Sequence, residues 1–123
     1  MKKFRVWSNY WKKYATEAEL YMDGSVDAMF EDADGVPHHD NTDLVLEFYT
    51  GLKDKNGKEI YEGDIVNIQG IKYYVDFEYG GFWFNNDNRK WKANRPFTHF
   101  QEINGTEVIG NIHDNPELLE GEE

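Results

Sequence analysis

The sequence predicts a mainly β fold: a small SH3-like barrel with an additional β-rich region before it. Three observations carry this expectation. Apolar and polar side chains alternate over short runs such as Ile71 to Phe77. Turn pairs such as Asn56-Gly57 and Gln69-Gly70 separate those runs at close intervals, and no long stretch repeats apolar positions at helical spacing. Aromatic residues make up 16% of the 123 residues, a supply of large side chains that disordered acidic chains lack.

Taken in order, Phe4-Arg5-Val6-Trp7 alternates as a half-buried strand does. Tyr14 to Tyr21 is open to one helical turn or to another strand, since Ala15, Glu17, Ala18, Glu19 and Leu20 favour helix only weakly. Asp23-Gly24 turns into a strand over Val26 to Phe30, and residues 31–43, polar and interrupted by Pro37, read as loop. Leu44 to Thr50 begins a better-defined half. Asn56-Gly57 suits a type I′ turn, because both residues tolerate positive φ. Glu62-Gly63-Asp64 is a second turn, followed by a hairpin of Ile65–Ile68 and Ile71–Phe77 about Gln69-Gly70. Ile71, Tyr73, Val75 and Phe77 fall on one face of that return strand and Lys72, Tyr74 and Asp76 on the other. Gly80-Gly81 leads into Phe82-Trp83-Phe84, Asn85 to Asn88 turns again, and Phe97–Ile103 and Val108–Ile112 add strands around Asn104-Gly105. The expected organisation is an acidic, β-rich region over 1–50 packed on the barrel, a barrel over 51–113 and an acidic tail over 114–123.

Charge is distributed in blocks. The net charge is −11, yet residues 1–13 carry five basic and no acidic side chains, and residues 14–52 carry ten acidic and no basic ones. Residues 53–113 are nearly balanced, with eight basic and nine acidic, and 114–123 add five acidic residues. Such blocks mark interaction faces or tails more often than catalytic centres. The absence of cysteine excludes disulfides, thiolate zinc sites and cysteine nucleophiles, and fits a reducing compartment. No apolar run approaches the ~20 residues of a membrane-spanning helix.

The run Tyr49-Thr50-Gly51-Leu52-Lys53-Asp54-Lys55-Asn56-Gly57-Lys58-Glu59-Ile60-Tyr61-Glu62-Gly63-Asp64-Ile65-Val66 strongly resembles the central signature of the YopX family of phage and prophage proteins. Phe4-Arg5-Val6-Trp7 resembles that family's opening strand, and Glu107 to Leu119 its ending. Residues 14–47 offer no recognisable piece of it. The resemblance implies a mostly β fold with an SH3-like barrel, a phage or prophage origin and the cytoplasm of a bacterial host, and it implies no biochemical activity.

Within the signature, Gly51, Asn56, Gly57 and Gly63 stand where the chain must turn, Asp54 and Asp64 are suited to capping turns, and Leu52, Ile60, Tyr61 and Val66 suit a barrel interior. The candidate binding residues lie elsewhere. Arg89, Lys90, Trp91, Lys92 and Arg95 combine cations with an aromatic ring, as single-stranded nucleic-acid sites do, although the net charge opposes binding a polyanion. Asp23, Asp27, Glu31, Asp32, Asp34, Asp40, Asp43 and Glu47 could instead imitate a phosphate backbone, as some phage anti-defence proteins do. Asp32, Asp34, His38, His39, Asp40 and Asp43 crowd one segment, but adjacent histidines in extended chain point apart and the calcium-loop pattern fails, so no metal or cofactor is expected. No nucleophile elbow, phosphate loop or zinc-protease motif is present, and no catalytic residue is named. The expected function is non-enzymatic binding of a host or phage protein, without membrane association. A nucleic-acid-binding module or an acidic DNA mimic is the alternative. Exposed strand edges and many aromatics make self-association a further expectation.

Overall fold

Most strand-forming segments pair with neighbours close in sequence, and the chain divides into two compact units, Met1–Phe48 and Tyr49–Glu123. The computed structural model describes residues 3–78, 80–86, 90–92 (main chain) and 105–120. All secondary structure among them is β apart from turns and one short 3-10 helix.

In the first unit β1 (Phe4–Ser8) lies between β2 (Lys13–Tyr14) and β6 (Leu44–Lys53), with Phe4 opposite Phe48 and Ser8 opposite Leu44. A second antiparallel sheet has the order β3-β4-β5, from β3 (Glu17–Leu20), β4 (Val26–Glu31) and β5 (Pro37–Asp40). Period-two alternation decides which side chains are interior. Val6, Ala28 and Phe30 are buried together, and Phe4, Trp11, Ala15, Ala18, Val26, Leu44 and Leu46 close over them. The Trp11 indole lies nearly parallel to the Phe30 ring, at 8° and 6.1 Å between centroids.

One open alternative is decided here and one expectation needs correction. Tyr14 to Tyr21 holds strand on either side of a bend at Thr16, because its main chain bonds first to β1 (Ala15 N–H to the Val6 carbonyl, 2.8 Å) and then to β4 (Thr16 N–H to the Met29 carbonyl, 2.9 Å). Those bonds outweigh a helix preference of a few tenths of a kcal/mol per residue. Residues 31–43 are not all loop. Asp32 Oδ1 accepts the N–H groups of Asp34 and Val36, both at 2.9 Å, and turns the chain so that Pro37–Asp40 pairs with β4.

In the second unit β6 continues to Lys53 and pairs with β7 (Glu59–Tyr61). Strands β8 (Asp64–Ile68), β9 (Ile71–Glu78), β10 (Gly81–Asn85), β11 (Lys90–Lys92) and β12 (Glu107–Asn111) form one antiparallel sheet of order β11-β10-β9-β8-β12. Its core is Ile60, Val66, Ile68, Tyr73, Val75 and Phe84, flanked by Leu52, Ile71, Phe82 and Val108. Phe77, expected on this face, is 40% exposed and rests edge-on against Phe82. The 3-10 helix Pro116–Leu119 packs against β9. The strand expected over Phe97–Ile103, and Asp87, Asn88 and Asn104 of the expected turns, lie outside the described residues.

The two glycine turns differ. Gln69 and Gly70 both have positive φ, 54° and 85°, as a type I′ hairpin requires. Of the pair Asn56-Gly57 only Gly57 does, at 84°, so this is not the type I′ turn expected. The Gly57 N–H donates to the Asp54 carbonyl and the Asp54 N–H to that of Lys58, which is a type I turn closed by a left-handed glycine. No atom lies within 4 Å of where a Gly57 Cβ would stand, so backbone angle alone selects glycine there. Replacing Gly57 by Ala should therefore cost about 1–2 kcal/mol. Phe30→Ala, which empties the first core, should cost about 3–5 kcal/mol. Urea unfolding followed by circular dichroism checks both, and equal losses would contradict the assignment.

Candidate functional site

The signature residues form the turn and core framework of the second unit. Asp54 is 6% exposed. Its Oδ1 accepts the N–H groups of Asn56 and Lys58, each at 2.9 Å, and its Oδ2 accepts the N–H of Val108 on β12, also at 2.9 Å. One side chain thus closes its own turn and fastens a strand 54 residues away. Asp64, equally interior, accepts the Tyr61 N–H at 2.7 Å. Between them in the chain, the buried Gly63 donates to the Val75 carbonyl (2.7 Å) and accepts from Ile112 (2.9 Å), linking β9 to the end of β12. Ile60 and Val66 are fully buried, Leu52 flanks that core, and Tyr61 and Tyr49 contact each other at 5.4 Å. Gly51, with φ of 91°, stands in open space. These residues occupy turn and core positions, and the structure gathers no reactive group among them.

The ending of the chain is built in the same manner. Asn111 Oδ1 accepts the N–H groups of His113 and Asp114 at 2.9 Å, and Asn115 Oδ1 accepts the Asn111 N–H at 3.2 Å. A Cβ on Gly110 would stand 2.5 Å from that Asn115 oxygen, so glycine here makes room for the clasp.

For the basic candidates, main-chain register is the available fact. Trp91 pairs with the buried Phe84, whereas Lys90 and Lys92 pair with Asn85 and Trp83. Neighbouring rows of a strand belong to opposite faces, so the Trp91 position and the two lysine positions belong to different faces of the sheet. Arg89 and Arg95 lie outside the described residues.

The acidic candidates separate by strand position. Glu47 is 2% exposed and turned inward, where Oε1 accepts from Arg5 Nε at 2.8 Å and from the Tyr14 hydroxyl at 2.9 Å. The Arg5 guanidinium also lies over the Tyr14 ring at 4.4 Å. Asp23, Asp32 and Asp40 cap turns through Ser25, Val36 and Thr42. Asp43 accepts from the Asn9 side-chain amide at 3.0 Å. Asp34 lies in the turn that Asp32 closes.

A coherent face remains, and the register creates it. Ala28 and Phe30 point inward, so Asp27, Met29 and Glu31 point outward. Glu17 pairs with Met29, Glu19 with Asp27, and His39 with Met29. The outer face of this three-stranded sheet therefore gathers Glu17, Glu19, Asp27 and Glu31, with His39 Nδ1 at 3.2 Å from Asp27 Oδ2. The exposed Tyr21 phenol feels this field: the Glu19 carboxylate first, and then slight desolvation and Asp27, hold its proton on above the usual range. Glu17 and Glu19 were not among the candidate residues, although their two-residue spacing was a usable signal. His38 turns the other way, onto Asp32 (2.9 Å) and against the Trp11 ring (5.2 Å). The two histidines part as alternation requires, and no group of three metal-capable side chains occurs among the described residues. Likewise, none of the described helices is long and apolar enough to cross a membrane.

Both units are thus built of antiparallel sheets, which defines a mainly β protein. Residues 3–120 match the family described as YopX protein, and the chain belongs to that family. Among solved structures, the chain is similar to the crystal structure of protein EF1440 from Enterococcus faecalis. The two share 28% identity with a TM-score of 0.70, over 98% of this chain and 99% of that one. No curated protein matches the sequence.

Two outcomes follow from this geometry. Asp54→Ala leaves three N–H groups without their acceptor and should destabilise the protein by at least ~2 kcal/mol, with amide exchange accelerating at both Lys58 and Val108. Acceleration at Lys58 alone would remove the strand-fastening role. Asp32 has its pKa lowered from 3.8, first by the His38 hydrogen bond and then by the Val36 N–H. A depressed carboxylate stabilises the fold above its unfolded value and loses that contribution as pH falls through the folded one. The β4–β5 turn should therefore loosen as pH falls below 3.8, read as faster exchange at the Asp34 and Val36 amides.

Proposed function

We propose that this protein is a non-enzymatic phage or prophage accessory module that acts in the bacterial cytoplasm by binding a host or phage protein with a basic surface. The observation that carries this reading is the outer face of β3, β4 and β5, where four carboxylates converge from two strands. Surface carboxylates gathered in this way attract a cationic partner and raise its association rate, in a salt-sensitive manner. Membership in a family of phage-type proteins supports the setting. The β8–β12 meander beside the β6–β7 pair is compatible with an SH3-like barrel, which here serves as scaffold.

A nucleic-acid reading draws less support. It needs Lys90, Trp91 and Lys92 on one surface, whereas their register alternates, and the chain carries a net charge of −11. The test is capture of partners from infected-cell lysate by immobilised protein and by its Glu17→Lys/Glu19→Lys variant, alongside gel shifts with DNA and RNA. The expected result is a basic protein retained at low salt, released at high salt and lost with the variant, with no shift of nucleic acid. Retention undiminished by charge reversal, or salt-sensitive binding to bare nucleic acid, would overturn the proposal.

A further inference from the structure

The turn that Asp54 closes carries a chemically labile pair at its tip. Asparagine is among the residues that degrade with heat and age, and of the described asparagines Asn56 alone precedes a glycine. It is exposed, and its side-chain amide makes no hydrogen bond among the described residues. Asn67, Asn111 and Asn115, by contrast, use their side-chain oxygens to accept main-chain N–H groups, and Asn41 is followed by the β-branched Thr42. The Gly57 nitrogen and the Asn56 Cγ can join in a cyclic imide. A side chain at the second residue would crowd that closure, and around Gly57 the space is open: no atom lies within 4 Å of where a Cβ would stand.

One restraint opposes the reaction. The Gly57 N–H donates to the Asp54 carbonyl at 3.0 Å, and the N–H groups on either side of it, from Asn56 and Lys58, are held by Asp54 Oδ1 at 2.9 Å. A nitrogen fixed in this way does not turn onto the Cγ of the residue before it. Ring closure therefore waits for the turn to open, and the Asp54 carboxylate is what keeps the turn shut.

We propose that Asn56 is a site of spontaneous deamidation to isoaspartate and aspartate, and that Asp54 sets its rate by holding the turn closed. Water is the one co-reactant. The Gly57 nitrogen forms a bond to Asn56 Cγ and gives up its proton, while the Cγ–Nδ2 bond breaks and Nδ2 leaves as ammonia. Water then opens the imide. Cleavage of the bond to Cγ gives aspartate on an unchanged main chain. Cleavage of the bond to the main-chain carbonyl carbon gives isoaspartate, whose main chain runs through the former side chain and is longer by one methylene. That extra length falls between two donors of one acceptor, since Asp54 Oδ1 takes the N–H groups of both Asn56 and Lys58. The lengthened turn no longer presents both at once. The modification thereby loosens the clasp whose other oxygen fastens Val108 of β12.

The test incubates the full chain at mildly alkaline pH beside a blocked peptide with the sequence of residues 54–59, and maps the products by digestion and mass spectrometry. Product is expected at position 56, formed about tenfold or more slowly than in the peptide. It should form faster in Asp54→Ala and in Asp54→Ser, the second of which retains a hydroxyl acceptor and serves if the first does not fold. Asn56→Gln, whose ring would be one atom larger, should yield no product there over the same time. The isoaspartate form, separated by chromatography, should exchange its Lys58 and Val108 amides faster than Asn56→Asp, which carries the same new charge on an unaltered main chain. No product at position 56 of the unaltered protein, or product confined to Asn104, which lies outside the described residues, overturns the site. A rate equal to that of the peptide, or one not raised in a folded Asp54 variant, overturns the control by Asp54. Equal exchange in the isoaspartate and Asn56→Asp forms overturns the effect on the clasp.

Discussion

Asp54 is interior, and its carboxylate meets three main-chain N–H groups within 2.9 Å. Removing an ionised carboxylate from water is costly unless hydrogen bonds replace the lost hydration, and N–H donors to a charged acceptor are among the strongest available. The arrangement also has a topological effect. Two of the donors belong to the turn that Asp54 itself begins, and the third belongs to β12, so one carboxylate joins the turn to that strand. Gly63 repeats the pattern with main-chain atoms, joining Val75 and Ile112. Asp54 and Gly63 of the signature run thus tie together strands of the second unit that are distant in sequence.

The first unit is held by a different chemistry. Glu47 is buried as a charge against Arg5, with the Tyr14 hydroxyl on the same oxygen. A buried ion pair contributes little net stability compared with apolar packing, although breaking it by removing one partner is costly. Its effect here is on register: Arg5 stands directly opposite Glu47, so a shift of β1 by one residue would separate the charges and also turn Val6 outward. Apolar alternation and charge pairing agree on one alignment.

How far the sequence foretold the molecule follows from the distance over which each feature acts. The Gln69-Gly70 hairpin and the alternation of Tyr73 and Val75 are local and were readable directly. The turn type at Asn56-Gly57 was not, because the carboxylate of Asp54 changed which residue adopts positive φ. Strand β5 was hidden because Pro37-His38-His39-Asp40 has no apolar pattern; it is a strand through main-chain pairing with β4 and the Asp32 turn before it. The acidic face was half visible. Asp27 and Glu31 stood out as part of a charge block, but only the register of Glu17 with Met29 and Glu19 with Asp27 shows which carboxylates share a side. The same block misled about Glu47, whose partner lies 42 residues earlier.

The two borders of the β3-β4-β5 sheet are unequal, since β5 opens with an imino acid and β3 presents the complete main-chain groups of Ala18 and Leu20. A sheet with two receptive borders is a monomer for polymerisation, because each added strand leaves another behind it. With one border blunted, growth in that direction is terminated at the outset. Whatever joins this sheet then does so on one side only, in fixed stoichiometry.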